Sequence, residues 1–378
     1  MKKRIYLSPP IYGDQTVLST PSSINVYDDI YKDIDDFEKI VKDYLNTDKQ
    51  VVALNSGTSA IHLALILAGV QKGDLVLCQS MTFVACANPI LYQGATPVFI
   101  DSEENTWNMS PKFLKEAYFE CCKKGKIPKA IIVTSLYGLS SNMEAILSFA
   151  KAKNIKVIED SAEALGSTYC NRKLSTIGDY GILSFNLNKI VSTGGGGVLV
   201  VNTLKEKEKA IFLATQAKEK SNYYQHTTLG YNYRMSHLNA ALGIIQFDKL
   251  KDNLEKRTLN YNFYNYLFEN IIGVTLHQEP NNDYNSNYWL NAILIDSSKT
   301  GGIDKEDLYN AFAKANIESR PLWKPMHLQP IFKNTEFYGD GVSSKLFENG
   351  LCLPSGSNLT NDDKERIQKV IFELFKRF

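Results

Sequence analysis

The segment VVALNSGTSAIHLAL (residues 51–65) predicts a strand, a short polar turn and a helix in immediate succession. VVAL is an unbroken apolar run, which is typical of a strand buried on both faces of a parallel sheet. The helical pattern begins at Thr58 and Ser59, where the first backbone N–H groups lack partners within the helix and carry the positive end of its dipole. A phosphate fits such a site, although N-capping by Thr58 or Ser59 explains the same residues without a ligand. The segment is not a P-loop, because it lacks the pattern GxxxxGK[ST].

The same alternation continues on the C-terminal side of this segment. Short runs rich in Val, Ile and Leu alternate with helical patterns, and the runs show no polar alternation. This arrangement predicts an α/β fold with a mostly parallel sheet covered by helices. The further predicted strands are LVLC (75–78), PVFID (97–101), the start of AIIVTSLYG (130–138) and IKVIED (155–160).

The pattern changes after about residue 243. A long helical stretch, roughly residues 240–270, precedes a strand-like YWLNAILID (288–296) and a helix over residues 304–317. A last helix over residues 362–377 has one apolar face. We therefore predict a large α/β domain over residues 1–245 and a smaller α+β domain over residues 246–378.

The composition excludes several classes of protein. The 378 residues include 42 basic and 41 acidic side chains, a balance that argues against a nucleic-acid-binding surface. No apolar run is long enough for a membrane span, and Pro9 and Pro10 interrupt any signal peptide. The six cysteines form no CxxC pair or His/Cys cluster, so we predict reduced thiols, no metal site and a cytoplasmic location.

A second candidate position is Asp160, which ends the apolar run IKVIED. Ligands of parallel sheets bind just beyond the carboxyl ends of the strands. A carboxylate there can pair with a buried cation, or it can cap a following helix.

The third candidate is Lys189, within SFNLNKIVSTGGGGVLVV (184–201). The flanking runs are strand-like, so this lysine lies in a turn between core strands, where a solvated surface lysine fits poorly. Two functions compete for it, a phosphate-binding charge beside the glycines and a nucleophile.

Lys189, Asp160 and the Thr58–Ser59 helix start together match the needs of pyridoxal phosphate. The cofactor's aldehyde requires a lysine amine, its ring nitrogen requires a carboxylate to remain protonated, and its phosphate requires a helix N-terminus with hydroxyls. Phe83 could cover one face of the ring or belong to the core.

Motifs spread from Leu7 to Ile371 resemble the DegT/DnrJ/EryC1/StrS family of nucleotide-sugar aminotransferases. In order, they are LSPP, NSGTSAIHLAL, GVQKGD, TFVACANPI, GATPVFID, LYG, EDSAEALGS, GDYGILSFNLNK, GYNYRMS and SRPLWKPMH. The resemblance implies the aspartate aminotransferase fold (fold type I), with a mostly parallel seven-stranded sheet in the large domain.

The resemblance also implies roles for individual residues. Lys189 would bind the cofactor as a Schiff base and shuttle protons, Asp160 would pair with the ring nitrogen, and Phe83 would stack on the ring. The remaining implied roles are the phosphate site of Thr58, Ser59 and Ser184, Glu163 near the ring hydroxyl, Asn232 reaching the phosphate of a neighbouring subunit, and Arg320, Trp323, Lys324 and His327 lining the nucleotide-sugar pocket. Shared sites of this kind imply a homodimer.

Two departures from the family pattern concern the substrate. Many relatives have TGEGG where this chain has TGGGG (193–197), and Gly195 at the Glu position is shared with enzymes of the bacillosamine pathway. Similar patterns for SFNLNK and LFENGLCLPSG (346–356) favour UDP-2-acetamido-2,6-dideoxy-4-keto-hexose, aminated at C4. The segment Asp14 to Asp36 looks less helical than the substrate-mouth segment of relatives.

The implied reaction is a ping-pong transamination with L-glutamate as the amino donor. A GDP- or dTDP-linked 4-keto-6-deoxy sugar, or amination at C3, is the alternative. Dehydratases of the family carry His at the position of Lys189, and its non-enzymatic members usually carry DNA-binding modules for which this chain has no spare segment.

Overall fold

The computed structural model describes residues 3–9 and 32–375. The strands predicted from the apolar runs are present, and all but the one in YWLNAILID lie within two residues of their predicted bounds; that strand begins three residues later than predicted. In chain order, the first half contains α1 (Lys32–Leu45), β1 (Gln50–Leu54), α2 (Gly57–Leu67), β2 (Leu75–Gln79), α3 (Asn88–Tyr92), β3 (Thr96–Ile100), α4 (Pro111–Lys123), β4 (Ala130–Thr134), α5 (Met143–Lys153), β5 (Lys156–Asp160), β6 (Thr168–Tyr169), β7 (Arg172–Lys173), β8 (Tyr180–Ser184) and β9 (Gly197–Val201).

The second half is richer in helices. It contains α6 (Leu204–Ala214), α7 (His237–Phe247), α8 (Leu250–Phe268), β10 (Val274–Leu276), β11 (Tyr284–Asn285), β12 (Asn291–Ile295), α9 (Lys305–Lys314), β13 (Arg320–Pro321), β14 (Phe337–Tyr338), α10 (Val342–Asn349), β15 (Gly350–Leu353) and α11 (Asn361–Phe375).

The large sheet has eight strands in the order β1-β9-β8-β5-β4-β2-β3-β14. Only β9 runs against its neighbours, so the mostly parallel α/β fold is confirmed. The sequence predicts seven strands; the eighth, β14, comes from the C-terminal third and pairs with β3 over two residues. Because β1, β5 and β8 share one direction, their carboxyl ends meet at one edge of the sheet, where ligands bind in this class of fold.

A smaller antiparallel sheet, β10-β12-β15-β13, forms the C-terminal part of the molecule. Its core contains Phe312, Ile367 and Ile371, so the predicted apolar face of the last helix is buried. Ile5 packs into the same core and bridges Ile317, although it lies at the other end of the chain. The boundary between residues 245 and 246 therefore stays a prediction. Ile5 precedes it but packs in the C-terminal core, and β14 follows it but pairs with the large sheet.

The predicted long helix over residues 240–270 is two helices, α7 and α8, separated at Asp248 and Lys249. α7 packs against α1, where a side chain at Gly243 would lie 2.4 Å from the ring of Phe37. α8 instead contributes Tyr264 and its neighbours to the C-terminal core. The start of α8, at Leu250 and Leu254, still packs in the core that contains Phe37, and its second half reaches the C-terminal core.

Two predictions from composition, on the cysteines and on membrane spans, can be compared with the structure. All six cysteines are free thiols, four of them buried. Within residues 3–9 and 32–375, none of the helices is both long and apolar enough to cross a membrane. The predicted substrate-mouth segment lies mostly outside the described residues, and α1 begins at its C-terminal end.

Candidate active site

A cavity of about 850 Å³ opens at the edge where β1, β5 and β8 end. Its wall combines residues from the large sheet with Arg320 and Trp323 from the C-terminal part. Eight of the twelve predicted site residues line it: Thr58, Phe83, Asp160, Glu163, Ser184, Lys189, Arg320 and Trp323.

The N-terminus of α2 points at this cavity. Ser56, rather than Thr58 or Ser59, is the N-cap, and its hydroxyl accepts a hydrogen bond from the Ser59 amide at 3.1 Å. Thr58 lines the cavity, whereas the Ser59 hydroxyl is buried and donates to Asn55. Ser184, at the end of β8, lies so close to Gly57 that a side chain there would contact it at 3.4 Å. Hydroxyls and free helix amides therefore converge, as an anion site requires.

Asp160 is a buried carboxylate at the end of β5. Its Oδ1 accepts from the Ala162 amide at 3.1 Å, and its Oδ2 accepts from the Cys86 thiol at 2.8 Å. Burial raises the pKa of Asp160, and the hydrogen bond from Cys86 and the charge of Lys189 lower it. Asp160 does not cap a helix, because a turn rather than a helix follows it. A buried carboxylate facing a cavity is suited to a cationic ligand.

Lys189 projects into the cavity between two groups. Its Nζ lies 3.4 Å from Glu163 Oε1 and 4.0 Å from the centroid of the Trp289 ring. An ammonium over an indole face is an attractive geometry. The amine is thus inside the site, with only 12% of its side chain exposed, and the alternative of a solvated surface lysine is excluded.

Glu163 holds two neighbours at once. Besides Lys189, it accepts a hydrogen bond from the Tyr137 amide at 2.9 Å. Tyr137 has a φ of 54°, an uncommon conformation that this bond helps to maintain. Burial raises the pKa of Glu163 to about 7, and Lys189 opposes that rise.

The turn that carries Lys189 is anchored through the carbonyl of Asn188. This oxygen accepts from Trp289 Nε1 at 2.9 Å and from the Ser8 hydroxyl at 3.2 Å. Arg257, buried in α8, donates to the carbonyl of Trp289 and to the hydroxyl of Ser8. The lysine turn is therefore held by residues from the N-terminal segment and the C-terminal part.

The glycine run after Lys189 serves different purposes at different positions. A side chain at Gly197 would lie 2.3 Å from the backbone of Ser56, so the strand can approach α2 only without one. A side chain at Gly195, by contrast, would have no neighbouring atom within 4 Å of its Cβ, and this position lines the cavity. Gly197 thus permits close packing against α2, whereas Gly195 leaves open space in the cavity.

The outer wall of the cavity is aromatic and charged. Phe83 is 56% exposed, and its ring centroid lies 5.6 Å from that of Trp323. Arg320 is also exposed and bonds Glu318 through two nitrogens, at 3.1 and 2.8 Å. Phe83 is therefore a cavity residue and not a core residue.

The structure places four predicted site residues outside the cavity lining. Ser59 is turned towards Asn55, and Asn232 is exposed with its carbonyl bonded to the Asn55 side chain. Lys324 is exposed. His327 contacts the hydroxyls of Ser80 and Ser344 through its two ring nitrogens and stacks on Phe337, so its polar atoms are engaged by the protein. Neither Lys324 nor His327 lines the cavity, and their role in the nucleotide-sugar pocket stays a prediction.

Sequence reasoning missed several residues of the site. Trp289 and Tyr137 lie in quoted motifs, YWLNAILID and LYG, but no local pattern marks them as neighbours of Lys189. Cys86 follows Phe83 by three positions in TFVACANPI and was assigned only to the general pool of thiols. Each acts through contacts with residues distant in sequence.

These observations fit pyridoxal phosphate. The helix start with Thr58 and Ser184 would hold its phosphate, Asp160 its ring nitrogen, and Lys189 its aldehyde carbon. The buried carboxylate carries the fit, since no arginine or lysine forms an ion pair with Asp160 among the described residues and the cofactor would supply that cation.

Comparison with known proteins gives a consistent family assignment. The family model described as the DegT/DnrJ/EryC1/StrS aminotransferase family matches residues 18–372. EpsN of Bacillus subtilis, assigned as a pyridoxal phosphate-dependent aminotransferase, is 44% identical over 99% of this chain and 97% of its own. The GDP-perosamine synthase of Escherichia coli O157:H7 is 33% identical over 85% of both chains.

One further relative and one solved structure bear on substrate and cofactor. The UDP-4-amino-4,6-dideoxy-N-acetyl-beta-L-altrosamine transaminase of Campylobacter jejuni is 30% identical over 92% of this chain and 90% of its own. Spr1654 of Streptococcus pneumoniae, solved in its PLP form, superposes with a TM-score of 0.84 at 25% identity and covers 99% of both chains.

Proposed function

The chain belongs to the DegT/DnrJ/EryC1/StrS aminotransferase family and is a pyridoxal phosphate-dependent aminotransferase, and from this premise we propose its substrates. The amino donor is L-glutamate. The acceptor is a nucleotide-linked 4-keto-6-deoxy sugar, UDP-2-acetamido-2,6-dideoxy-4-keto-hexose, which is aminated at C4 for surface polysaccharide or glycan biosynthesis. The observation that carries the proposal is that Lys189, Asp160, the α2 N-terminus and Arg320 line one cavity.

The cofactor, when bound, supplies an aldehyde that takes up an amino group and a ring that stabilises negative charge on the adjacent carbon. Lys189 would hold that aldehyde through Nζ and, when free, would take up the proton of the donor carbon. An amine accepts a proton through its free electron pair, so Lys189 would take part in this step as the uncharged amine. Asp160 would keep the ring nitrogen protonated, and Glu163, whose Oε1 lies 3.4 Å from Lys189 Nζ, would lie near the ring hydroxyl.

The proposed acceptor contacts are on the outer wall. Arg320 would bind an anionic diphosphate once it exchanges its bond to Glu318, and Trp323 with Phe83 presents flat apolar surface to a base or sugar. Lys324, exposed beside them, is a third candidate. The open space at Gly195 gives the sugar ring room on the inner side.

The proposed assembly is a cytoplasmic homodimer. Asn232 supports it, because this residue is exposed yet hydrogen-bonded to Asn55 at the cavity wall. From there its side chain would reach the phosphate site of a second subunit. Sedimentation of the holoenzyme tests this assembly, and a monomer that retains full activity would refute the shared site.

A GDP-linked acceptor is the second candidate. It is favoured by the Escherichia coli GDP-perosamine synthase, whose identity of 33% exceeds the 30% of the Campylobacter jejuni UDP-sugar transaminase. Both relatives have names that specify a nucleotide-linked amino sugar.

The experiment presents the pyridoxamine form of the enzyme with UDP-, GDP- and dTDP-linked 4-keto sugars in turn. The acceptor is the sugar that restores the visible absorbance of the pyridoxal form in a single turnover. Mass spectrometry of the product then gives the added amine. A response to the GDP sugar alone would replace the UDP proposal, and no response to any sugar, with L-glutamate still converting the pyridoxal form, would refute the sugar class.

A further inference from the structure

Cys86 contacts the one carboxylate that the cofactor site needs, without lining the cavity itself. Its Sγ lies 2.8 Å from Asp160 Oδ2, and the residue is fully buried. Cys86 belongs to the short helix Val84–Cys86, directly behind Phe83 on the cavity wall. It therefore reaches the site only through Asp160.

We propose that Cys86 is a positioning residue that orients Asp160 and keeps it ionised for the cationic ring of the cofactor. The inference rests on the proposed role of Asp160. It adds a residue that contacts Asp160 without lining the cavity.

The thiol is a permanent donor in this environment. Burial and the charge of Asp160 raise the pKa of Cys86 well above its ordinary value, so the sulfur keeps its proton. A carboxylate oxygen can only accept, and the direction of the bond is therefore from Cys86 to Asp160. The hydrogen bond from Cys86 in turn lowers the pKa of Asp160, against the effect of burial.

Two threonines complete the arrangement. Thr82 Oγ1 lies 3.0 Å from the sulfur and Thr134 Oγ1 lies 3.4 Å from it, while the two hydroxyls are 2.8 Å apart. Since the thiol proton is used by Asp160, these hydroxyls bond to the sulfur as donors or to each other. Such a chain polarises the S–H group towards the carboxylate.

The other groups near Asp160 do not replace this contact. The Ala162 amide binds the other oxygen, Oδ1, at 3.1 Å. Lys189 and Glu163 face Asp160 from the cavity side, with opposite charges. Cys78, on β2, is a second buried thiol, but its sulfur donates to the carbonyl of Gln79 instead. Only the Cys86 thiol fixes Oδ2 among these groups.

The test measures the affinity of the apoenzyme for pyridoxal phosphate by titration of its visible absorbance. We expect Cys86→Ala to raise the Kd about tenfold, which is the lower end of what a hydrogen bond to a charged group contributes. Cys86→Val, which fills the space but cannot donate, should behave in the same way if the Ala variant folds poorly. Cys86→Ser restores a donor and should return the Kd to within about twofold of wild type.

Cys78→Ala is the matched control, since it removes a buried thiol that does not touch Asp160 and should leave the Kd unchanged. The deciding comparison repeats Cys86→Ala in an Asp160→Ala background, where no further loss of affinity is expected. An equal loss in both backgrounds, a Kd unchanged by both Cys86→Ala and Cys86→Val, or a failure of Cys86→Ser to restore affinity would overturn the inference. If Asp160→Ala itself leaves the Kd unchanged, the proposed role of Asp160 fails, which is a separate result from a failure of Cys86 alone.

Discussion

Replacing Glu163 with Gln should change how the stability of the apoenzyme depends on pH. The carboxyl is buried, and its pKa rises from 4.5 in the unfolded chain to about 7 in the folded protein. Because the folded state then holds a proton that the unfolded state releases, its contribution to stability is present below pH 4.5 and is lost as the pH rises through about 7. Gln cannot ionise, so this loss is absent from the variant.

The magnitude follows from the size of the pKa rise. At about 1.4 kcal/mol per pKa unit, the full loss is about 3 kcal/mol, and the attraction of Lys189 is already included in it. Glu163→Gln should keep the Tyr137 amide bond through its remaining carbonyl oxygen. Relative to wild type, its free energy of unfolding should therefore improve by about 2–3 kcal/mol between pH 5 and pH 8.

The assay is urea unfolding of the apoenzyme at fixed protein concentration, at half-unit steps from pH 5 to pH 8. Glu208→Gln, an exposed carboxylate on α6, is the matched control and should follow wild type across this range. Parallel curves for wild type and Glu163→Gln would refute the reasoning, because the carboxyl would then ionise equally in both states.

Three further outcomes follow from other contacts. Lys189→Ala should abolish both turnover and the visible absorbance of the bound cofactor while the circular dichroism spectrum is kept; a variant that retained transaminase activity would contradict the assignment. Gly138→Ala should lower the free energy of unfolding by more than about 2 kcal/mol beyond the control Gly125→Ala, since both have positive φ but only at Gly138 would the new Cβ lie 2.0 Å from Asn287 Oδ1. Phe312→Ala should cost about 3–5 kcal/mol in urea unfolding, because this fully buried ring lies in the C-terminal core; a loss under 1 kcal/mol would show that this core is not tightly packed.

Several parts of the site are legible in the sequence because they are local. The strand, turn and helix of β1 and α2 follow from an apolar run and a change of period within fifteen residues. Asp160 is placed by the strand that it ends, and Lys189 by the two apolar runs around it. The parallel sheet then brings these positions to one edge, since parallel strands share their carboxyl ends.

Other parts depend on contacts that leave no local pattern. The break between α7 and α8 lies at Asp248 and Lys249, within a stretch whose sequence pattern predicted one helix. β14 is an edge strand of two residues, too short to show a period. Ser56 rather than Thr58 caps α2, a difference of two residues that only the backbone conformation decides.

The sequence by itself determined the α/β architecture, the family resemblance and the positions of Lys189, Asp160 and the α2 N-terminus. Only the tertiary structure decided what surrounds them. Trp289 lies under the Lys189 amine and bonds the carbonyl of Asn188, 101 positions away, and Cys86 reaches Asp160 across 74. The physical reason is range: hydrophobic periodicity records which face of an element is buried, whereas the partner of a buried polar atom is chosen by packing between distant segments.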